Sequence, residues 1–414
     1  MINMTLLEEV VLDQLEYFRN RETGIPREID FDKLLKTLQI TVISGIRRSG
    51  KSTLLSQLSR RFKDFYYINL DDERLIDFAV DDFKDLMVVF QKLYPSKVIF
   101  IDEIQNVSGW ERFVRRVHDE GYKIFLTGSN AKLLSSELAT HLTGRHIKIE
   151  LYPFSFREYL SFRKIDYSKM TSRNKALILK HFDTYLKEGG FPEFIKYGDV
   201  EFLKRIYDDI LYRDLIVRFK IKETKAFKQL ASYLFTNLAK EASYNSLKGT
   251  LGFKSVTSVK NYMGFMEECF LLFELPRFDH SLKKQIVTGK KVYVIDNGIR
   301  NNIAFYFSED EGRLLENLVF IELKRRGKEI YYFKGKRECD FLIREKTKIV
   351  EAIQVSRELG GRTNMVREAE GLLEALDHFN LKTGTLLTRH QKDIVERNGF
   401  TINIIPVWEW LFAK

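Results

Sequence analysis

In the first third of the chain, short apolar runs alternate with segments in which apolar residues recur at helical spacing. The runs are rich in β-branched and aromatic residues, as buried parallel strands are, and the segments between them include Phe83 to Leu93 and Glu111 to Glu120. This alternation predicts an α/β fold with a parallel sheet between helices. The predicted strands are Ile40 to Ser44, Phe65 to Asn69, Val98 to Asp102, Lys123 to Thr127 and Ile147 to Leu151.

The pattern changes on either side of this core, and it divides the chain into five predicted parts. An amphipathic helix precedes the core, and helical spacing dominates after it. Two close helices with Gly252 in the turn between them and two strand-like runs come next, which is the spacing of a winged helix. The predicted parts are an N-terminal helical arm (1–36), the core (37–155), a helical lid (156–240), the winged helix (241–295) and a C-terminal α/β domain (296–414).

Composition places the chain among ordinary globular proteins. Of its 414 residues, 44% are hydrophobic and 30% are charged, so it is long enough for several domains. It has no long uncharged apolar run and no basic segment at its start, and we therefore expect a cytoplasmic protein without a membrane partner. Only Cys269 and Cys339 are present, too few for a disulfide framework, and we expect both in the core.

The first candidate site follows the first strand directly. Residues 45–52 have the sequence GIRRSGKS, which fits the pattern GxxxxGK[ST] of the phosphate-binding loop of nucleoside triphosphatases, and a helical pattern follows them. The backbone N–H groups of such a loop and the helix N-terminus converge on a polyphosphate. A surface turn that matches by chance is the alternative, but the flanking strand and helix favour the loop. The predicted nucleotide-binding residues are Gly45, Arg47, Arg48, Ser49, Gly50, Lys51, Ser52 and Thr53.

Two acids follow the third predicted strand. Four apolar residues precede Asp102, so its carboxylate lies at the carboxyl edge of the sheet, where ligands of parallel sheets bind. We predict that Ser52 and Asp102 hold a Mg²⁺ ion on the β- and γ-phosphates and that Lys51 contacts the same phosphates. Glu103 is the predicted general base for the attacking water. An ordinary helix N-cap is the competing interpretation of this acidic pair.

Two further side chains are candidates for the reaction. Ser129, or its neighbour Asn130, follows the fourth strand and can hold the γ-phosphate or the water, although either residue can instead be a helix N-cap. Arg145 precedes the fifth strand. Its guanidinium can neutralise charge on the γ-phosphoryl group, in its own subunit or across an interface of a homo-oligomer. A merely solvated arginine is the alternative.

These motifs, taken together, resemble the AAA+ and STAND branch of P-loop ATPases. In that branch one strand separates the phosphate-loop strand from the acidic strand, as the run from Phe65 to Asn69 does here, and the sheet order is 5-1-4-3-2. The segments LYPFSFREY (151–159), GGFPE (189–193) and YRDL (212–215) resemble, more narrowly, an archaeal-type ATPase family that also occurs in bacteria. The resemblance implies ATP as the nucleotide, a winged helix and a C-terminal restriction-endonuclease-like domain.

A basic middle segment suggests an acidic partner. Residues 201–300 contain 18 Lys and Arg against 11 Asp and Glu, within a chain of net charge +10. Lys254 and Lys260 lie at the start of the second helix of the predicted winged helix, where contacts with double-stranded DNA would form. A winged helix can instead serve as a joint between domains, and the positive charge can equally reflect generic solubility or a lysine-rich proteome.

The C-terminal domain carries an incomplete nuclease motif. In active members of the restriction-endonuclease-like fold, a helix Glu, a strand Asp and an E-x-K sequence gather a metal ion around a phosphodiester. Glu316 and Asp340 match the first two positions, but Gln354 replaces the acid and Ser356 replaces the lysine. Glu351 points to the opposite face of the strand from Gln354. We therefore expect a degenerate domain that binds or scaffolds.

The sequence as a whole predicts a Mg²⁺-dependent ATPase coupled to DNA or to a protein partner. Two alternatives remain. One is a nucleotide-gated switch with little turnover, and the other is a nuclease regulated by ATP. The intact Glu103 favours turnover, and Ser356 at the lysine position argues against the nuclease.

Overall fold

The computed structural model describes residues 2–129, 142, 144–304, 310–359 and 361–413, with the side chains of 361–368 excepted. The chain forms two compact units. The N-terminal unit comprises Met1–Tyr152 with Glu268–Phe270, and the C-terminal unit comprises Pro153–Glu267 with Leu271–Lys414. Among the residues that the structure describes, no helix is long and apolar enough to cross a membrane.

The N-terminal unit contains the predicted alternation of strands and helices. Its helices are α1 (Met4–Asn20), α2 (Phe31–Lys36), α3 (Lys51–Ser59), α4 (Phe83–Leu93) and α5 (Trp110–Asp119), with 3₁₀ turns at Glu73–Leu75, Val80–Asp82 and Ile104–Asn106. Its strands are β1 (Ile40–Ser44), β2 (Tyr66–Asn69), β3 (Val98–Asp102), β4 (Lys123–Gly128) and β5 (His146–Glu150). Each strand lies within one residue of its predicted bounds.

The five strands form one parallel sheet in the order β2-β3-β4-β1-β5. This confirms the predicted 5-1-4-3-2 order. β1 and β4 are buried along their whole length because helices cover both faces of the sheet. The register pairs Ser44 with Gly128 and Asn69 with Asp102, so the carboxyl ends of the strands meet at one edge. The candidate residues of the nucleotide site follow these ends.

The N-terminal arm packs onto the sheet. Helix α1 buries Leu7, Val10 and Val11 in the same apolar cluster as residues of β1, β2 and β3. Gln14 fixes the helix to the end of β2, because its amide donates to the Asn69 carbonyl oxygen at 3.1 Å and accepts from the Asn69 N–H at 2.7 Å. The arm is therefore a structural part of the unit that carries the nucleotide site.

The C-terminal unit begins with helices and ends with strands. Its helices are α6 (Phe156–Phe162), α7 (Ser172–Glu188), α8 (Pro192–Tyr197), α9 (Val200–Asp209), α10 (Thr224–Thr236), α11 (Tyr244–Leu251), α12 (Val256–Glu268), α13 (Leu282–Val287), α14 (Asn297–Ile303), α15 (Glu311–Arg325), α16 (Gly361–His378) and α17 (Val407–Trp410). Its strands are β6 (Glu241–Ala242), β7 (Leu272–Pro276), β8 (Lys290–Val294), β9 (Glu329–Lys334), β10 (Glu338–Glu345), β11 (Lys348–Val355), β12 (Thr383–Thr388), β13 (Asp393–Arg397) and β14 (Phe400–Pro406).

These strands form two sheets. A small antiparallel sheet has the order β6-β8-β7, and its strands flank α11 and α12, where the winged helix was predicted. A larger mixed sheet has the order β13-β14-β12-β11-β10-β9, in which the pairs β11–β12 and β12–β14 are parallel. Helix α16 packs against β10, β11 and β12 of this sheet. The last domain is thus α/β, as the sequence indicated.

Two local features differ from the prediction. Apolar spacing predicts one helix from Val200 to Leu215, but the chain is α-helical only as far as Asp209 and continues as a π-helix, Ile210–Val217. The residues from Arg277 to Lys291 are predicted to form a basic loop between two strands, but they contain the short helix α13, none of whose residues is buried. Periodicity misses both because the π-helix keeps an apolar face and α13 exposes its apolar residues.

Candidate nucleotide-binding site

The phosphate loop connects β1 to α3, as predicted, and two glycines shape it. A Cβ atom on Gly45 would lie 2.2 Å from the carbonyl oxygen of Leu151, which no side chain tolerates. Gly50 precedes α3 with a φ of 98°, in the left-handed region that favours glycine. Arg48 also has a positive φ, 66°. The loop therefore adopts a backbone conformation that turns successive N–H groups toward one point.

Lys51 is buried inside the loop. Its ammonium donates to the carbonyl oxygens of Gly45 at 3.2 Å and Ile46 at 3.3 Å, and it lies 3.7 Å from Oε1 of Glu103. The sequence separates Lys51 from Glu103 by about fifty residues, and the parallel sheet brings them together at its carboxyl edge. A cation and the predicted base thus face the same small volume.

Asp102 lies beneath the loop with 2% of its surface exposed. It accepts hydrogen bonds from the hydroxyl groups of Ser52, Thr127 and Tyr67. Burial raises the pKa of Asp102, and the neighbouring charge of Glu103 raises it further. A bound cation would reverse this effect by favouring the ionised carboxylate.

The donors around Asp102 fit Mg²⁺. The ion prefers oxygen ligands and is usually bound by one or two carboxylates together with phosphate oxygens and water. Ser52 and Asp102 are in hydrogen-bond contact and supply two such oxygens. Among the described residues, no group of three or more His, Cys, Asp or Glu side chains could hold a metal ion. The site therefore fits Mg²⁺ that arrives with a nucleotide.

Glu103 is held in an unusual conformation. Its φ of 53° lies in the left-handed region, which costs a non-glycine residue on the order of 1–3 kcal/mol. Its N–H donates to Oγ1 of Thr127 at 3.0 Å, and its carboxylate accepts a hydrogen bond from the amide of Gln105. These contacts turn the carboxylate toward Lys51 and leave 22% of the side chain exposed.

Ser129 reaches the site through Gln105. The Ser129 hydroxyl is 3.4 Å from Nε2 of Gln105, the same nitrogen that contacts Glu103. Gln105 and Thr127 were not predicted as site residues, because sequence spacing gives no signal for a side chain that acts through its neighbours. Asn130 lies outside the described residues.

Arg145 lies at the opposite edge of the sheet. Its carbonyl oxygen accepts from the N–H of Ile40 at the amino end of β1, and its guanidinium is paired with Asp119. The phosphate loop follows the other end of β1, about 17 Å away at roughly 3.3 Å per residue. The Arg145 guanidinium therefore lies far from the phosphate loop of its own subunit, which disfavours a direct role there. Action on a neighbouring copy stays a prediction.

The N-terminal arm supports the phosphate loop, which the sequence did not indicate. Arg27 is 7% exposed and donates to the carbonyl oxygens of Ser49 at 2.8 Å and Tyr152 at 2.7 Å. Arg21 approaches Oγ1 of Thr53 at 3.4 Å. Two arginines of the connector between α1 and α2 thus contact the second half of the loop and the start of α3.

The structure also brings together the predicted nuclease residues. In the C-terminal unit, Glu316 on α15 and Asp340 on β10 both contact the ammonium of Lys291, and Gln354 on β11 contacts the backbone of Asp340. Lys291 was not predicted as a site residue. The predicted DNA contacts Lys254, just before α12, and Lys260, on α12, are both exposed. Cys269 and Cys339 are both buried, as expected, and they do not form a disulfide.

Comparisons with known proteins agree with the site. Residues 37–160 match an AAA domain, and residues 179–310 match a domain of unknown function. The uncharacterized protein MJ1544 of Methanocaldococcus jannaschii is 40% identical over 98% of this chain and 95% of its own length. An uncharacterized protein of Haemophilus influenzae is 32% identical over 90% of this chain and 94% of its own.

Solved structures with a similar arrangement include the Walker-type ATPase Paby2304 of Pyrococcus abyssi and AMPPCP-bound DnaA from Aquifex aeolicus. The first has a TM-score of 0.44 and 16% identity and covers 69% of this chain and 99% of that one. The second has a TM-score of 0.30 and 17% identity and covers 57% and 85%. The fold assignment rests on the sheet order and on the matched AAA domain.

Proposed function

Because this chain belongs to the AAA+-type P-loop ATPase family, we propose that it binds ATP with Mg²⁺ and hydrolyses it to ADP and phosphate. The observation that carries the proposal is the approach of Lys51 to Glu103, 3.7 Å apart, beside a buried Asp102 that contacts Ser52. A phosphate-binding cation, a metal-side carboxylate and a base for water meet at one edge of the sheet.

Each group has a separate task in this proposal. The loop N–H groups and Lys51 hold the β- and γ-phosphates, and Ser52 with Asp102 would hold Mg²⁺, which supplies positive charge to the phosphate oxygens. Glu103 accepts a proton from water as the water oxygen bonds to the γ-phosphorus. The bond from that phosphorus to the bridging oxygen breaks, and ADP leaves. Gln105 and Thr127 keep the Glu103 carboxylate oriented.

A nucleotide-gated switch is the second candidate. Glu103 is paired with Lys51 in this conformation, and the only arginine predicted to assist catalysis lies at the far edge of the sheet. A protein in this state holds ATP and turns it over only when a second copy or partner completes the site. The two candidates differ in the basal rate of hydrolysis.

We propose double-stranded DNA as the partner that the C-terminal unit contacts. The exposed Lys254 and Lys260 and the charge excess of residues 201–300 support this assignment. Each phosphate contact that is lost should reduce the slope of log affinity against log salt by about 0.9. Lys254→Ala and Lys260→Ala should therefore weaken DNA binding and flatten that slope, with Lys84→Ala as a control of the same type in the N-terminal unit.

The experiment that tests the function is phosphate release from ATP and Mg²⁺, with and without double-stranded DNA. The parental protein should turn over ATP, and DNA should increase the rate. Glu103→Gln should bind ATP with parental affinity and release no phosphate, whereas Lys51→Ala should bind ATP at least about tenfold more weakly. Parental turnover by Glu103→Gln would refute the assigned base, and tight binding without turnover in every condition would favour the switch.

A further inference from the structure

The ammonium of Lys291 lies at the centre of three carboxylates in the C-terminal unit. Nζ is 2.9 Å from Oε1 of Glu316, 2.9 Å from Oδ1 of Asp340 and 2.7 Å from Oε1 of Glu338. An ammonium group has three N–H donors, and here it donates hydrogen bonds to Glu316 and Asp340 and forms an ion pair with Glu338. The Lys291 side chain is 4% exposed, so the cluster is closed to solvent on the side of the lysine.

Several oxygens at the positions of the nuclease motif accept further hydrogen bonds from the protein. Oε1 of Glu316 accepts a second hydrogen bond from the hydroxyl of Tyr293 at 2.7 Å. Oδ2 of Asp340 accepts from the N–H of Val355 at 3.0 Å, and Oε1 of Gln354 accepts from the N–H of Asp340 at 3.2 Å. Both carboxylate oxygens of Asp340 and one oxygen of Glu316 are thus occupied by protein donors.

A divalent cation does not fit among these residues. A Mg²⁺ ion bound by Glu316 and Asp340 would lie about 2.0–2.1 Å from one oxygen of each. Nζ of Lys291 already occupies the space between Oε1 of Glu316 and Oδ1 of Asp340, and two cations cannot share it. Ser356, at the position of the motif lysine, directs its hydroxyl to the carbonyl oxygen of Glu358 at 3.5 Å.

We propose that Lys291 takes the place of the metal ion of a nuclease and turns the carboxylate cluster into a metal-free joint. Lys291 belongs to β8 of the three-stranded sheet, whereas Glu316 lies on α15 and Asp340 on β10 of the larger sheet. The ion pairs therefore fasten the small sheet to the larger one within the C-terminal unit, and the domain holds rather than cuts.

The electrostatics agree with a permanent ammonium. Burial opposes the charge on Lys291, but Asp340, Tyr293, Glu316 and Glu338 together keep its pKa well above the ordinary value. Removing one partner from a buried, hydrogen-bonded ion pair leaves the other charges without compensation, and this is strongly destabilising. The cluster should therefore be sensitive to loss of the lysine and indifferent to metal ions.

The test is a titration of the full-length, nucleotide-free protein with Mn²⁺, followed by electron paramagnetic resonance of the free ion. The parental protein and the Asp340→Asn variant should bind the same amount of Mn²⁺. The parental protein should also leave supercoiled plasmid intact with Mg²⁺ or Mn²⁺. Lys291→Met, which keeps the length of the side chain and removes the charge, should lower the melting temperature by about 5 °C or more. Lys334→Met, which removes an exposed ion pair with Glu241, serves as the matched control.

Two outcomes would overturn the proposal. The first is Mn²⁺ binding by the parental protein that Asp340→Asn abolishes. The second is plasmid cleavage by the parental protein that Asp340→Asn abolishes, since the cluster would then support catalysis. Both measurements on the parental protein remain decisive even where Lys291→Met does not fold. Failure of ATP hydrolysis would leave this result unaffected, because the joint lies in the other unit.

Discussion

At the scale of single residues, the nucleotide site depends on side chains that orient the reacting groups. Glu103 has a left-handed backbone conformation, and two contacts hold it there: the hydrogen bond from its N–H to Thr127 and the hydrogen bond that its carboxylate accepts from Gln105. A glutamate in this conformation would otherwise relax into a more common region of backbone space. The strain therefore indicates that the position of the carboxylate matters more than local stability.

Gln105→Ala should lower the rate of ATP hydrolysis about tenfold and leave the affinity for ATP unchanged. The amide nitrogen of Gln105 holds the Glu103 carboxylate and approaches the Ser129 hydroxyl, so its loss should leave the base less well oriented. Single-turnover phosphate release with fluorescence titration of a nucleotide separates the two effects. Gln39→Ala, at the opposite edge of the sheet, is the control, and an equal loss in both variants would exclude a role for Gln105.

Glu267 makes the stability of the C-terminal unit depend on pH. Burial raises the pKa of its carboxyl to about 7, with a further contribution from Glu274, while Lys324 and Lys290 oppose the rise. As pH rises from about 4.5 to 7, the unfolded chain releases this proton and the folded protein does not. The contribution of Glu267 to the free energy of unfolding therefore falls over that window and stays low above it.

Glu267→Gln should accordingly raise the melting temperature at pH 8 by a few °C and change it little at pH 4.5. One kcal/mol of added stability corresponds to a shift on the order of 2–4 °C. Thermal unfolding of the variant and the parent at both pH values measures this difference. The exposed Glu201→Gln serves as the control. A shift of the same size at both pH values would mean that packing, and not ionisation, explains the effect.

At the scale of elements, the arm before the first strand is part of the phosphate loop's support. The Arg27 guanidinium joins the loop, through the Ser49 carbonyl, to the end of β5, through the Tyr152 carbonyl. Two acceptors on separate segments suit the planar fork of arginine, which a single ammonium does not reproduce.

Arg27→Lys should therefore weaken ATP binding about tenfold, because a single ammonium cannot bridge the Ser49 and Tyr152 carbonyl oxygens and the loop is then less well held for the phosphates. Equilibrium titration with a fluorescent ATP analogue measures the change. The exposed side chain of Arg60 donates a hydrogen bond to the Arg21 carbonyl oxygen at 3.1 Å. Arg60→Lys is therefore the control, and it should bind the ATP analogue with parental affinity. If Arg27→Lys bound ATP with parental affinity, the loop would not depend on the arm.

The sequence predicts the elements of the N-terminal unit well because its strands are buried on both faces and form unbroken apolar runs between helices. Its site residues Lys51, Ser52 and Asp102 follow from a loop whose geometry a short motif determines. Gln105 does not follow because it acts through its neighbours, and Arg27 and Lys291 do not follow because they contact residues distant in the chain. Helix α13 was missed for another reason, namely that Leu282, Ile286 and Val287 are exposed and give no amphipathic signal.

At the scale of the whole molecule, the two edges of the parallel sheet have different tasks. The carboxyl edge carries the phosphate loop, and the amino edge presents Arg145 beside Asp119. An arginine supplied to the γ-phosphoryl group by a neighbouring subunit accelerates hydrolysis by about 10³ to 10⁵ in other P-loop enzymes. If Arg145 has this role, the active site is complete only between copies of the chain.

Arg145→Ala should then slow ATP hydrolysis at least about 100-fold without weakening ATP binding. A mixture of Arg145→Ala with Lys51→Ala should regain activity, because a Lys51→Ala subunit still offers its arginine to an intact phosphate loop next to it. A mixture of Lys51→Ala with Glu103→Gln should stay inactive, since no subunit then has both the loop lysine and the base. Phosphate release at several mixing ratios measures the gain. An Arg145→Ala protein that hydrolyses ATP at the parental rate would limit Arg145 to its ion pair with Asp119, and inactivity of the first mixture would exclude action between subunits.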